Sequence, residues 1–259
     1  MGRRLPAYRP GVRMLSLSGR TLHWAGFLLM CLGSFSAAIL QRGILRLGSD
    51  TSLEALGEAM KPGGEAMGWA TGAVLCSLTA SLAIPIYAKL LWESWRKCGD
   101  KKRFFLILTA CALASEIPYD LTMSGALAEW STQNPVWALL LSAIMLEIFA
   151  HWHFSNKVTD IAFKALVILA ALAWALLLRV YLGAIWILLI ALMYFAGKRE
   201  WLVLLGGTVI TILQFPAPLG LMLAHWYDEK KESGSAAVFC ILYPAQLLVF
   251  GLLHTVFFQ

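Results

Sequence analysis

The chain has 259 residues, of which 59% are hydrophobic and only 14% charged, with a net charge of +6 and a mean hydropathy of +0.71. This composition falls outside that of a soluble domain and places the protein in lipid. The positive charge does not point to nucleic acid, because the basic residues gather beside hydrophobic stretches, where the positive-inside bias and anionic headgroups put them.

A bilayer core needs about 20 apolar residues per helix, and nearly everything past residue 21 consists of such stretches and short polar turns. The expected fold is all-α: a polytopic integral membrane bundle of about eight or nine helices. A basic segment at 1–21 precedes a single helical domain at 22–259. The runs are apolar on all faces and do not alternate, which excludes an outer-membrane barrel.

In chain order the apolar runs cover 22–40, 67–91, 104–123, 135–152, 161–178, 181–196, 201–224 and 236–258. The first follows Arg3, Arg4, Arg9, Arg13 and Arg20 and is too long for a signal peptide, so it reads as a retained span. In the 41–66 loop, Thr51 stands three residues before Glu54, with Leu53, Leu56 and Met60 on one side. That is the pattern of a capped amphipathic helix lying on the outer surface. Arg96, Lys97, Lys101, Lys102 and Arg103 crowd the next connection, whereas 123–134 has no lysine or arginine. The bias predicts a cytoplasmic N-terminus and an outward 41–66 loop. Lys157, Lys164, Lys198 and Arg199 continue the cytoplasmic series. Pro216 and Pro218 interrupt the seventh run, which leaves either one kinked helix or two short segments there.

Ionisable groups within spans are costly and invite a functional explanation. Glu116 and Asp120 lie four apart around Pro118, on one helix face in the half of their span away from its basic start. One account makes them a buried acceptor and a span cap; the other has them line a polar cavity and bind or deprotonate an acceptor. Lys89 and Glu93 have the spacing of an ordinary ion pair. Glu147 needs a buried partner. His151 and His153 follow at the membrane exit, and His23 and His254 lie near the ends of their spans. Cys31, Cys76, Cys98, Cys111 and Cys240 have no zinc or redox spacing and read as packing residues. No His-Glu-x-x-His arrangement occurs, so no metal site is expected.

The stretch Ser115-Glu116-Ile117-Pro118-Tyr119-Asp120-Leu121, preceded by the basic connection and followed by Gln133-Asn134-Pro135, resembles the signature region of the TraX family. The likeness extends through Ala83-Ile84-Pro85-Ile86-Tyr87-Ala88 with Glu93 beyond it, and through 227–234 followed by Leu242-Tyr243-Pro244. It implies a bacterial inner-membrane acyltransferase that moves an acetyl group from acetyl-CoA to the N-terminal amine of pilin or a similar membrane-protein acceptor. The basic connection would attract the phosphates of the donor.

The family pattern also carries an Asp-His pair just after a methionine in the first span. Here Met30 is followed by Cys31, Leu32, Gly33 and Ser34. A histidine shortly after the last-span Tyr-Pro is replaced by Gln246, which can hydrogen-bond but cannot act as a base near neutral pH. Ala80 and Ser81 occupy the neighbourhood of an expected arginine, and Ile107 stands where another basic residue is usual.

Acyl transfer to an amine needs a base and a group that stabilises the developing oxyanion. With those histidines missing, Glu116 and Asp120 are the candidate catalytic groups. Glu93, Gln133, Asn134, Ser34 and Gln246 are the candidate cavity and substrate-binding residues. Two other readings compete: a degenerate family member acting as a non-enzymatic factor in pilus or envelope assembly, and a transporter whose path is lined by Glu116, Asp120 and Glu147.

Overall fold

The computed structural model describes residues 17–47, 57, 66–197, 199–228 and 236–258. The amphipathic helix expected around 51–60, and all but the end of the 1–21 basic segment, lie outside the described residues. The described helices, in order, are α1 (Gly19–Phe35), α2 (Met67–Ala80), α3 (Ala83–Lys97), α4 (Lys101–Met123) and α5 (Val136–His151). After them come α6 (Lys157–Leu177), α7 (Gly183–Ala196), α8 (Glu200–Thr211), α9 (Ala217–His225) and α10 (Ala236–Phe258). A π-helical stretch, Ser36–Ile44, prolongs α1, and a 3-10 turn, Ile212–Gln214, prolongs α8.

Polar caps set several helix starts. The Ser18 hydroxyl accepts from the Thr21 amide at 3.1 Å, Asp100 from the Arg103 amide at 3.1 Å, and Asn156 from the Val158 amide at 2.9 Å. Each satisfies an amide that the first helical turn would leave without a partner. The break between α2 and α3 falls at Ser81 and Leu82. Pro85 causes it, because a proline four residues on offers no N–H to the Ser81 carbonyl.

Among the described residues, five stretches are long and apolar enough to cross a bilayer: Gly19–Ile44, Met67–Lys97, Lys101–Met123, Lys157–Leu177 and Ala237–Phe258. Val136–His151, Gly183–Ala196 and Glu200–Gln214 are apolar but shorter. The protein is thus a multi-pass membrane protein, and helix length alone does not reproduce a count of eight or nine crossings. Its outer surface carries large apolar side chains such as Leu106, Leu166, Val209, Leu213, Ile241 and Val256. So extensive an apolar surface is untenable in water and suits acyl chains.

The doubtful 201–224 run is neither one straight helix nor one kinked helix. α8 and α9 form an antiparallel hairpin, since Glu200 Oε2 at the start of α8 lies 3.2 Å from His225 Nδ1 at the end of α9. The tip of the hairpin rests on the α2–α3 break, where the Ser81 hydroxyl donates to the Gln214 carbonyl at 3.2 Å. Gly220 permits this approach: a Cβ there would stand 2.3 Å from the Leu82 carbonyl oxygen.

Aromatic and polar contacts fix the relative depth of the helices. His23 stacks on Phe239 at 4.8 Å and Phe35 meets Phe250 at 6.3 Å, so α1 and α10 run parallel. Trp95 Nε1 donates to Glu147 Oε2 at 2.9 Å, and Phe149 packs on Tyr194 at 4.9 Å, which aligns α3, α5 and α7. Asn134 Nδ2 donates to the Ala112 carbonyl at 3.1 Å, midway along α4. The connection before α5 therefore folds back beside α4 instead of lying beyond its end. There the Gln133 amide donates to the Arg179 carbonyl and the Tyr181 amide to the Gln133 carbonyl, each at 3.0 Å.

Candidate functional site

Between α1, α3, α4, α5, α7 and α10 lies a cavity of about 170 Å³. Leu90, Leu91, Leu108, Leu139, Phe104 and Met30 make most of its wall apolar, and His23, Tyr87, Ser94, Cys111, Cys240, Tyr243 and Trp186 add polar atoms. Ser94 and Phe104 on its wall flank the basic connection, so the cavity reaches toward that end of the bundle. Beside that connection, Arg96, Lys101, Lys102, His151 and two carboxylates, Asp100 and Glu147, line an open groove.

His23 sits one turn into α1 with only 4% of its surface exposed. Its Nδ1 is 2.8 Å from the Gly19 carbonyl oxygen. A carbonyl only accepts, so Nδ1 donates to it, and in the neutral imidazole Nε2 is then the nitrogen with the free lone pair. The helix thus holds the imidazole in the tautomer of a base. Cys111 on α4 and Cys240 on α10 both line the cavity, and all five cysteines are free.

Trp186 on α7 is 4% exposed, and its indole N–H has no partner. A buried donor in that state costs roughly 1–3 kcal/mol. The other buried side-chain atoms lacking a hydrogen bond among the described residues are Glu93 Oε1, Glu116 Oε1 and both amide atoms of Gln246.

The candidate catalytic and substrate-binding residues Glu116, Asp120, Glu93, Gln133, Asn134, Ser34 and Gln246 fall in three places, and none of them lines the cavity. Glu116 is half-buried. Its Oε2 accepts from the Trp137 indole at 2.9 Å and from the Asn134 amide. Asn134, wholly buried, also accepts from the Val136 amide at 2.9 Å and so begins α5. Asp120 is buried but turned to the following connection, where Oδ2 accepts from the Glu129 amide at 2.9 Å. Glu116 and Asp120 therefore point into protein, as expected, but toward different partners. Gln133 ties two connections together through its backbone.

Glu93 lies at the basic end, 2.9 Å from Lys89 and 2.8 Å from Arg96, so the expected ion pair forms within a larger cluster. Trp95 supplies the partner that Glu147 needs. Ser34 and Gln246 are buried on α1 and α10.

A family model described as TraX protein matches residues 18–254. The chain belongs to the TraX family. No curated protein and no solved structure matches it. In this TraX member the family strings supplied Tyr87 and Tyr243 to the cavity, while His23, Trp186 and the Cys111–Cys240 pair escaped the sequence reading. His23 shared a helix face with Gly26 and Met30, three and seven residues on, which was the available signal. Trp186 stands in a run apolar on every side and gave none.

Arg42, 8% exposed within the π-helical stretch, was missed as well. It donates to the Leu121 and Thr122 carbonyls at 3.1 Å each and to His254 Nδ1 at 3.3 Å. Its charge sits at the carbonyl end of α4, where the helix dipole favours a cation. Gly125, at φ +76°, leaves the room: a Cβ there would lie 1.8 Å from the guanidinium.

Proposed function

We propose that this TraX member transfers an acetyl group from acetyl-CoA to the amine of a membrane-protein acceptor, with the N-terminal amine of pilin as the acceptor the family suggests. The observation that carries this reading is His23, held by the Gly19 carbonyl with Nε2 unprotonated on the wall of a cavity beside the basic end. In the reaction the amine nitrogen attacks the thioester carbonyl and a C–N bond forms. The C–S bond then breaks, and CoA leaves as a thiolate. His23 Nε2 takes the amine proton and returns it to that thiolate, a role worth roughly 10²–10⁴ in rate. Arg96, Lys101 and Lys102 attract the donor's phosphates at the groove. Glu116, Asp120, Asn134 and Gln133 support the cavity from the side.

The positive-inside bias supports a cytoplasmic basic end, and the family likeness supports the bacterial inner membrane. α1, the α2–α3 pair, α4, α5, α6, α7 and α10 then cross, and the α8–α9 hairpin enters and returns on the cytoplasmic side. Irregular backbone such as the connection before α5 is tolerated at depth where protein buries it.

The test is the intact mass of pilin co-expressed with this protein. His23→Gln should lower the acetylated fraction by at least about a hundredfold in rate while leaving the bundle folded. Full acetylation by that variant would overturn the assignment of the base.

A second reading, a non-enzymatic factor in pilus or envelope assembly, is favoured by one observation. Gln246 is buried with both amide atoms unpartnered, at a position where the family keeps a histidine. It predicts no acetylation of a matched pilin by the unaltered protein, and gain of some activity when histidines replace Ser34 and Gln246 and aspartate replaces Gly33. A transport role would instead show as solute uptake by proteoliposomes.

A further inference from the structure

The two ends of the cavity differ. At one end Ser94 and Phe104, both partly exposed, flank the basic connection. At the other the wall is made by Cys111, Pro135 and Val136, all buried, and behind them Ala112 and Asn134 have no exposed surface. Along α4 the ends are marked by Phe104 and Cys111, about 10 Å apart at the helical rise. The cavity is thus a short slot, open toward the basic connection and closed at its inner end.

The closed end is fixed in place. Asn134 donates to the Ala112 carbonyl at 3.1 Å and accepts from the Val136 amide at 2.9 Å, which seats the start of α5 at the level of Cys111 and Ala112. Valine is stiff at χ1, so Val136 is a wall that does not swing aside. The slot holds little beyond it: an apolar cavity of about 150 Å³ takes one benzene, about six heavy atoms, and this one has about 170 Å³. The sulfur, carbon and oxygen of a thioester fill about three of those places, which leaves room for about three further carbons.

We infer that Val136 and Cys111 form a stop that limits the transferred acyl group to about four carbons. The inference rests on the acyl-transfer reading and adds the feature that selects the acyl chain. With the donor's phosphates at the groove beside the basic connection, its thioester arm enters through the open end and the acyl chain points at the stop. No Lys, Arg, Asp or Glu lines the wall, so a short hydrocarbon chain leaves no charge unsolvated there. A longer chain has to displace buried side chains held by Asn134, and an apolar pocket separates ligands that differ by one methylene by roughly 10–200-fold.

The test is a competition. The protein in nanodiscs receives a matched pilin and equimolar acetyl-, butyryl- and hexanoyl-CoA, and the intact mass of pilin gives the product ratios. These equal ratios of kcat/KM and do not depend on how much of a variant is folded. The unaltered protein should make hexanoyl product at least about a hundredfold less efficiently than acetyl product. Val136→Ala removes both methyl groups of the stop and should raise the hexanoyl-to-acetyl ratio at least about tenfold. Val136→Ile adds a methyl group and should lower the butyryl-to-acetyl ratio by about tenfold. Cys111→Ala should act in the direction of Val136→Ala and replaces it if that variant misfolds.

Equal amounts of acetyl and hexanoyl product from the unaltered protein would overturn the stop and leave the acyl-transfer reading standing. So would ratios that do not move in Val136→Ile and in the enlarged variants. If the unaltered protein yields no acylated pilin of any chain length, the acyl-transfer reading is wrong and the stop falls with it.

Discussion

Two polar regions of this bundle invite comparison: the α4–α5 junction around Glu116 and the cavity walled by His23 and Trp186. At the junction most polar groups satisfy one another, although Glu116 Oε1 is buried without a partner among the described residues. Asn134 donates to Ala112 and Glu116 and accepts from Val136, Trp137 donates to Glu116, and Asp120 accepts from Glu129. At the cavity the His23 imidazole is held through Nδ1 by the Gly19 carbonyl, and Trp186, another wall residue, has an indole N–H without a partner among the described residues. Polar groups that complete each other within a membrane hold helices in place. Groups kept unsatisfied at a cost are the ones a ligand completes. Under the acyl-transfer proposal the chemistry sits at His23, and the bonds made by Glu116 Oε2 and Asp120 hold the junction together.

The contrast breaks most decisively at His23. If His23→Gln loses at least about a hundredfold in acetylation, equivalent to about 2.7 kcal/mol of barrier, without a fall in apparent Tm, the cavity is the chemical region. An equal loss from Glu116→Gln at unchanged Tm would return the chemistry to the junction.

Asn134→Ala probes the opposite region and should act through stability. It removes two donated bonds and one accepted bond from a wholly buried position, for an expected loss of about 2–3 kcal/mol. Thermal melts in detergent would show the lowered Tm, and specific activity per folded molecule should stay near that of the parent. Gly220→Ala tests the hairpin in the same assay. Its Cβ would stand 2.3 Å from the Leu82 carbonyl oxygen and 2.7 Å from the Pro85 ring, overpacking worth about 1–3 kcal/mol. An unchanged Tm would mean that the hairpin tip does not press on the α2–α3 break.

Much of the fold could be read from the sequence, because hydropathy and end caps are local. Ser18, Asp100 and Asn156 mark helix starts in the structure, and the proline pair at 216 and 218 marks an interruption. The return of α9 against α8 could not be read, since it depends on Glu200 meeting His225 and on Gly220 meeting Leu82. The neighbourhood of Glu116 and Asn134 was visible as one motif, and the two do bond. Spacing reveals that proximity but not which atoms are paired: Glu116 Oε2 has two donors and Oε1 has none. His23 looked terminal when counted along α1 alone. Its place on a cavity wall follows from the register of α10, set by the stack on Phe239.

The smallest expected effect falls on Asp120, and it separates the two regions most finely because a carboxylate and an amide have nearly the same shape. Asp120 Oδ2 accepts from the Glu129 amide at 2.9 Å, while the Asp120 carbonyl accepts from the Ser124 and Gly125 amides at 2.8 and 3.1 Å. Asparagine at 120 keeps the carbonyl bonds, and its side-chain oxygen can still accept from Glu129, so only the charge assistance of one hydrogen bond is lost. The expected cost is about 1 kcal/mol, read as a small fall in Tm, with acetyl transfer retained. A base, by contrast, cannot be replaced by an amide, because an amide takes no proton near neutral pH. Loss of transfer in Asp120→Asn at nearly unchanged Tm would therefore place a catalytic carboxylate at the junction and remove the distinction drawn between the two regions. Retained transfer together with the small fall in Tm would leave Asp120 as the group that ties the connection to the end of α4.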